Sequence, residues 1–255
     1  MGNPDFGKTS GDYARHRAGF PPELFDELGG LGVHLDGRRV LDLGTGVGTL
    51  ARGFALRGAE VVGLDPAAEL LAEARRLDAE AGVSVEHVTT RAEATGLPGA
   101  SFDIVAAGQC WWWFDADAAT AEARRVLKPG GRLLICSFDW IPTLGNVVDV
   151  AERLIEKHNP AWDRAGGNGV HPEFIAALQA GGFEDVRHLT FPLDVPYTHE
   201  GWRGRIRASA GVAASLSPGE VDAFDAELEA TLAARFSEDP LTIPHRVYAA
   251  AGSAP

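Results

Sequence analysis

The chain has 255 residues, of which 45% are hydrophobic, and a formal net charge of −13 at neutral pH. This length and hydrophobic content suit one α/β domain with a substantial core. The charge argues against a broad surface for nucleic acid or anionic lipid, because phosphate binding needs clustered Lys and Arg side chains.

Targeting signals and cysteine usage point to the same compartment. The sequence contains no apolar stretch of about 18 residues, and its first residues lack a basic start followed by an apolar run. We therefore expect neither a membrane span nor a secretory signal. Cys110 and Cys136 lie near the ends of apolar runs and fit no zinc spacing, so we interpret them as small buried hydrophobes in a reducing cytoplasm.

The first elements in chain order are short. Residues 1–11 are polar, and Tyr13 to Leu28 has helical character interrupted by Phe20-Pro-Pro, which predicts two pieces in an N-terminal cap over 12–30. From Arg38, strands and helices alternate regularly. We predict strands near 39–43, 60–64, 84–88, 102–107 and 131–137, and helices near 48–57, 67–81 and 117–127. This alternation is typical of a parallel sheet that binds ligands at the carboxyl ends of its strands.

Beyond Ser137 the alternation is less regular. Helices are predicted near 145–157, 172–180, 199–214 and 218–235, and strands near 185–191 and 243–250. The segments 138–170 and 195–215 exceed what a simple crossover needs, so we assign them to a lid over the substrate.

A glycine-rich loop follows the first strand. Residues 40–48 read Val-Leu-Asp-Leu-Gly-Thr-Gly-Val-Gly, an apolar run with alternate glycines from Gly44 onward. Glycines allow a tight turn and let a flat ligand approach the backbone. Thr49 occupies the place of the third glycine of a nicotinamide fingerprint, and the Gly-Lys of a Walker loop is absent.

An acidic residue, Asp65, ends the second strand. At that position a carboxylate can accept hydrogen bonds from a ribose. Alternatively, Asp65 and Pro66 begin the next helix as its N-cap and first residue. Both roles remain open.

Three further motifs follow in order: Arg-Ala-Glu-Ala from Arg91, Phe-Asp-Ile-Val-Ala-Ala-Gly-Gln up to Gln109, and Leu-Lys-Pro-Gly-Gly from Leu127. Together with the glycine loop they resemble the class I S-adenosylmethionine-dependent methyltransferases, in particular the small-molecule, methyltransferase type 11-like subgroup. The resemblance implies a single domain over 1–255 with a Rossmann-like, doubly wound, seven-stranded and mostly parallel sheet. Its last strand is expected to be antiparallel, and helical lid insertions are added.

The resemblance also implies S-adenosyl-L-methionine as cofactor. Residues matching Ala92 and Glu93 lie beside the adenine in this family, and a tyrosine matching Tyr13 closes over the methionine portion. The candidate cofactor-binding residues are Tyr13, Asp42, Gly44, Thr45, Gly46, Gly48, Asp65, Pro66, Ala92, Glu93 and Gln109.

Aromatic residues follow the fourth strand. In the subgroup a histidine precedes Trp-Phe, whereas this chain has Trp112 at that position. Three adjacent tryptophans cannot all face one way, so either at least one faces the ligand or they pack the next helix against the sheet. The candidate substrate-binding residues are Trp111, Trp112, Trp113, Trp140, Tyr197, Trp202 and Arg203. Arg203 could clamp an anionic group or belong to a solvated face.

His171 and His199 lie in or beside the lid segments and are the candidate general bases, with no metal expected. The predicted activity is in-line methyl transfer to an O, N or C atom of a small molecule. A carboxylate or amine acceptor would need no base. The alternative is a cofactor-binding protein that acts as a cyclase or regulatory subunit. We expect no nucleic-acid or membrane partner, and a monomer or homodimer.

Overall fold

The computed structural model describes residues 19–255, so Tyr13 and the rest of residues 1–18 lie outside the described part. The described chain forms two compact units. We call residues 19–138, 171–191 and 247–255 the sheet unit, and residues 139–170 and 192–246 the helical unit. Almost all of the two predicted lid segments belong to the helical unit. Their assignment to a lid stays a prediction.

Seven strands form one sheet in the order β3-β2-β1-β4-β5-β7-β6. Their bounds are β1 Arg39–Leu43, β2 Glu60–Asp65, β3 Val85–Thr89, β4 Phe102–Gly108, β5 Leu127–Trp140, β6 Glu184–Tyr197 and β7 Leu241–Ser253. β1 is parallel to β2 and β4, and the β2–β3 and β4–β5 pairs are also parallel. β7 is antiparallel, as reciprocal hydrogen bonds of Ala254 with Gly130 and Gly131 indicate. The predicted fold class is confirmed.

The helices lie close to their predicted positions. Their bounds are α1 Pro22–Glu27, α2 Thr49–Ala55, α3 Ala68–Ala81, α4 Ala116–Val126, α5 Val147–His158, α6 Pro172–Ala180, α7 His199–Arg207 and α8 Pro218–Arg235. Ser217 begins α8 as predicted, and its backbone N–H donates to Glu220 Oε2 at 2.8 Å. Capping therefore sets the start of this helix.

Two predicted boundaries differ most from the observed ones. β6 continues to Tyr197 although Pro192 and Pro196 interrupt its sequence; it is an edge strand, where residues without an N–H are tolerated. α7 ends at Arg207 instead of residue 214. The chain then turns so that Gly211 packs closely on α5, and a Cβ there would lie 2.6 Å from Ile155.

Each unit has its own hydrophobic core. In the sheet unit, β1 and β4 are buried on both faces, which explains their nearly continuous apolar sequences. In the helical unit, α8 buries Phe224, Leu228 and Leu232, spaced four residues apart along one face. Among residues 19–255, no helix has the length and apolar character needed to cross a bilayer.

Candidate functional site

The order in which strands are added to the sheet reverses between β1 and β4, and the glycine loop follows β1 at this point. β1 lies between β2 and β4, so the order of strands reverses there, and open α/β sheets bind ligands at such a position. Gly44, Gly46 and Gly48 have φ values of 63°, 56° and 77°, which residues with a Cβ rarely adopt. A Cβ at Gly44 would lie 3.0 Å from the Cys110 sulfur, whereas one at Gly46 would meet nothing within 4 Å. The open side of the loop is therefore at Gly46.

Hydrogen bonds hold the loop in shape. The N–H of Thr45 donates to the Leu64 carbonyl at 2.8 Å, and its hydroxyl donates to Asp42 Oδ2 at 2.7 Å. The N–H of Gly46 donates to Asp65 Oδ2 at 3.0 Å. Carboxylates at the ends of β1 and β2 thus fix the loop between them.

Asp65 is not the helix cap that the sequence allowed. Its Oδ1 accepts the N–H of Ala67 at 2.9 Å, but α3 begins at Ala68 with Ala67 as its N-cap, and Pro66 precedes the helix. Burial raises the pKa of Asp65, and the N–H groups of Ala67 and Gly46 oppose that shift. Each carboxylate oxygen has two lone pairs, so both can still accept from ribose hydroxyls.

Asp42 carries an unusual buried carboxylate. Its exposed fraction is 1%, and Oδ1 has no hydrogen-bond partner among residues 19–255. Burial raises the pKa of Asp42 to about 7, against the opposing effects of the Thr45 hydroxyl and the Ala51 N–H. A cationic ligand beside this oxygen would favour its ionised form. The site therefore fits a cofactor with sulfonium and ammonium groups.

We expect Asp42→Asn to stabilise the ligand-free protein at pH 8 by roughly 2–4 kcal/mol, since one pKa unit corresponds to 1.36 kcal/mol. The folded pKa of about 7 exceeds the usual 3.8, so the wild-type protein loses stability as pH rises from about 4 to about 7. Asparagine cannot ionise and escapes this loss. Urea unfolding at pH 5 and pH 8 measures the difference.

Asp103 supplies a control, because its pKa is shifted in the opposite direction to that of Asp42. Burial there is outweighed by the Arg39 N–H and by Lys128, so the pKa of Asp103 is lowered. Asp103→Asn should destabilise the protein at pH 8. An Asp42→Asn variant whose stability relative to wild type is the same at both pH values would contradict the titration that we assign.

The other candidate cofactor residues lie on turns after β3 and β4. Ala92 is buried, and Glu93 is half-buried and accepts the Asp115 N–H at 3.2 Å. Gln109 follows β4 with a φ of 62°, and its N–H donates to the Cys136 carbonyl at 2.9 Å. The sheet unit thus presents all the candidates from Asp42 to Gln109 at the carboxyl ends of β1 to β4.

Sequence reasoning treated Cys110 only as a small hydrophobe, but its thiol donates to the Leu43 carbonyl at 3.1 Å, beside the loop. Its position directly after Gln109 was the available signal.

The three tryptophans after β4 differ in exposure. Trp111 is 4% exposed and packs edge-on against Phe114 at 5.9 Å, and a substrate-binding role for it stays a prediction. Trp112 and Trp113 are partly exposed. The imidazole of His171 stacks on Trp112 with ring centroids 5.7 Å apart, and its Nδ1 lies 2.8 Å from Glu173 Oε1. His171 is therefore in the same unit as the glycine loop and beside a partly exposed indole.

The remaining candidates belong to the helical unit. Trp202 has no exposed surface, and the guanidinium of Arg203 binds Asp225 and Glu229. Both side chains thus have structural partners within the helical unit, and substrate binding by them stays a prediction.

Trp140 and Tyr197 pack edge-on against Trp202, each at 5.5 Å. The Nε1–H of Trp140 donates to Glu152 Oε1 at 2.8 Å. His199 Nε2 lies 2.9 Å from the Glu238 carbonyl, a contact that engages this nitrogen as a donor. Functional roles for Trp140, Tyr197 and His199 stay predictions.

Comparison with known proteins agrees with this geometry. The family described as methyltransferase domain matches residues 41–135, which run from β1 into β5. An uncharacterised methyltransferase of Mycobacterium tuberculosis is 36% identical over 185 residues, 72% of this chain and 71% of that protein. The ubiquinone biosynthesis O-methyltransferase of Xanthomonas euvesicatoria is 32% identical over 184 residues, 70% of this chain and 73% of that protein.

A solved structure assigned as a type II methyltransferase, from Anaeromyxobacter dehalogenans, has a TM-score of 0.68 and 25% identity, covering 93% of this chain and 98% of that one. Fold, loop and relatives lead to one conclusion. The chain belongs to the class I methyltransferases, and its cofactor is S-adenosyl-L-methionine.

Proposed function

We propose that this protein transfers the methyl group of S-adenosyl-L-methionine to an O, N or C atom of a small molecule at the carboxyl edge of the sheet unit. The observation that carries this proposal is the open side of Gly46 between the buried carboxylates of Asp42 and Asp65. This arrangement suits a ligand with ribose hydroxyls and a cationic end.

The bound cofactor supplies an electrophilic methyl group on a good leaving group. The protein's task is to align the acceptor with it and to exclude water. In our proposal Asp65 accepts the ribose hydroxyls, the free oxygen of Asp42 faces the cationic end, and Gly46 allows close approach. The hydrogen bonds within the loop hold these groups in position before the cofactor binds.

We propose an aromatic acceptor as the first class to test. The partly exposed indoles of Trp112 and Trp113 follow β4 directly and can stack on a flat ring. The Xanthomonas relative is by name an O-methyltransferase of ubiquinone biosynthesis, which supports a hydroxyl on such a ring. The net charge of −13 argues against a nucleic acid as acceptor.

A hydroxyl acceptor would lose a proton, and His171 is the better candidate base. It belongs to the sheet unit, next to Trp112, and Glu173 orients its ring at 2.8 Å. A carboxylate beside one ring nitrogen fixes the tautomer and orientation of the imidazole.

Incubation with cofactor labelled in its methyl group tests the proposal. The acceptors are catechols and quinols, primary and secondary amines, and carboxylic acids. We expect label to enter the catechol or quinol class most rapidly, and the Gly46→Val variant serves as the control without cofactor binding. A folded protein that binds S-adenosylhomocysteine but labels none of these classes would contradict the proposal and favour the non-transferring alternative.

A further inference from the structure

A buried chain of polar contacts runs from the edge of the sheet to the glycine loop. His87 Nε2 on β3 lies 2.6 Å from Asp78 Oδ2 on α3, and Asp78 Oδ1 lies 3.0 Å from Arg52 Nε on α2. Arg52 Nη2 then donates to the carbonyl of Val47 at 2.8 Å. Three elements of the sheet unit thus converge on one peptide of the loop.

The side chains that make these contacts are largely shielded from water. The side chains of Arg52, Asp78 and His87 are 15%, 5% and 1% exposed. Away from water, a charged group costs free energy unless its partner is present, so each member depends on the next. The guanidinium also packs on the loop itself, because a Cβ at Gly48 would lie 3.3 Å from Arg52 Nη2.

The loop is therefore held on two sides. Asp65 accepts the N–H of Gly46, and Arg52 donates to the carbonyl of Val47, the next residue. Asp78 sits on α3, which starts three residues after Asp65. The two contacts thus orient the peptides on either side of the Gly46–Val47 peptide, and α3 follows one contact along the chain and supplies the partner of Arg52 in the other.

We propose that Arg52, Asp78 and His87 are positioning residues for the cofactor. They touch no ligand themselves. They fix the Val47 peptide so that the open face of Gly46 keeps the shape that S-adenosyl-L-methionine requires. Losing the charge of Asp78 would free the guanidinium, let the peptide rotate and weaken cofactor binding.

Two variants test this proposal in the full-length chain. Asp78→Asn keeps the shape but removes the charge, and Arg52→Met removes the donors. For each we expect the Kd of S-adenosylhomocysteine, measured by calorimetric titration well below the melting temperature, to rise about tenfold, as when one charge-assisted hydrogen bond is weakened. On an accepted substrate, the KM for cofactor should rise while kcat changes little.

Arg132→Met is the matched control. Arg132 on β5 is 16% exposed, and its Nη2 lies 2.6 Å from Oδ2 of Asp185 on β6, an ion pair of the sheet unit whose carboxylate partner is 44% exposed. It should lower the melting temperature without changing the Kd. If Arg52→Met does not fold, Arg52→Lys replaces it. An unchanged Kd in folded Asp78→Asn, or an equal rise in Arg132→Met, would overturn the proposal.

Discussion

Gly46→Val should abolish measurable binding of S-adenosylhomocysteine while the protein still unfolds cooperatively. In our proposal the cofactor approaches the backbone at the open side of Gly46, and valine would fill that space. We expect a loss of at least about a thousandfold in affinity, or about 4 kcal/mol. The φ of 56° adds strain of about 1–2 kcal/mol, which is small beside a typical unfolding free energy of about 5–15 kcal/mol.

Gly82→Val is a control that introduces the same backbone strain without filling the proposed cofactor site. Gly82 ends α3 with a φ of 69°, and a Cβ there would also meet nothing within 4 Å. Its valine variant should lose similar stability but bind S-adenosylhomocysteine normally in calorimetric titration. Near-native affinity in a folded Gly46→Val protein would remove the cofactor assignment of the loop.

Asp65→Ala is the second change with a large expected effect. It removes the carboxylate that we propose as acceptor for the ribose hydroxyls and that accepts the N–H of Gly46 at 3.0 Å. We expect binding of S-adenosylhomocysteine to weaken by about 1.5–3 kcal/mol, the range for a hydrogen bond to a charged group. Calorimetric titration measures this loss, which corresponds to roughly 10- to 150-fold in Kd.

An analogue that lacks the 2′-hydroxyl tests whether Asp65 acts through the ribose. The wild-type protein should bind the analogue more weakly than S-adenosylhomocysteine, whereas Asp65→Ala should bind both alike. If the variant keeps the wild-type Kd, Asp65 only stabilises the turn before α3.

The fold and the cofactor loop could be predicted because their signals are local. A buried strand needs a continuous apolar run, and positive φ values favour glycine. A few consecutive residues are therefore enough to predict β1 and the loop from Gly44 to Gly48. Asp65 was ambiguous for the same reason, because a local reading cannot distinguish a cap from a carboxylate that reaches back to Gly46.

Side-chain roles that depend on distant partners could not be predicted. Arg203 resembles a substrate clamp until Asp225, 22 residues away, is placed beside it. Trp202 has an aromatic ring suited to a binding site, but the helical unit encloses it completely. Arg52 and Asp78 carry no local motif, and only the packing of α2 on α3 brings them together.

The position of β7 constrains how this protein is made on the ribosome. β7 is last along the chain, yet it lies between β5 and β6 within the sheet. When a nascent chain has emerged only as far as β6, the strand that pairs with β6 in the folded sheet, β7, has not yet been made. The order β3-β2-β1-β4-β5 can assemble during translation, whereas β6 must wait for β7. Truncation before residue 241 should therefore leave β6 with unpaired backbone N–H and C=O groups, and the truncated chain should aggregate more readily.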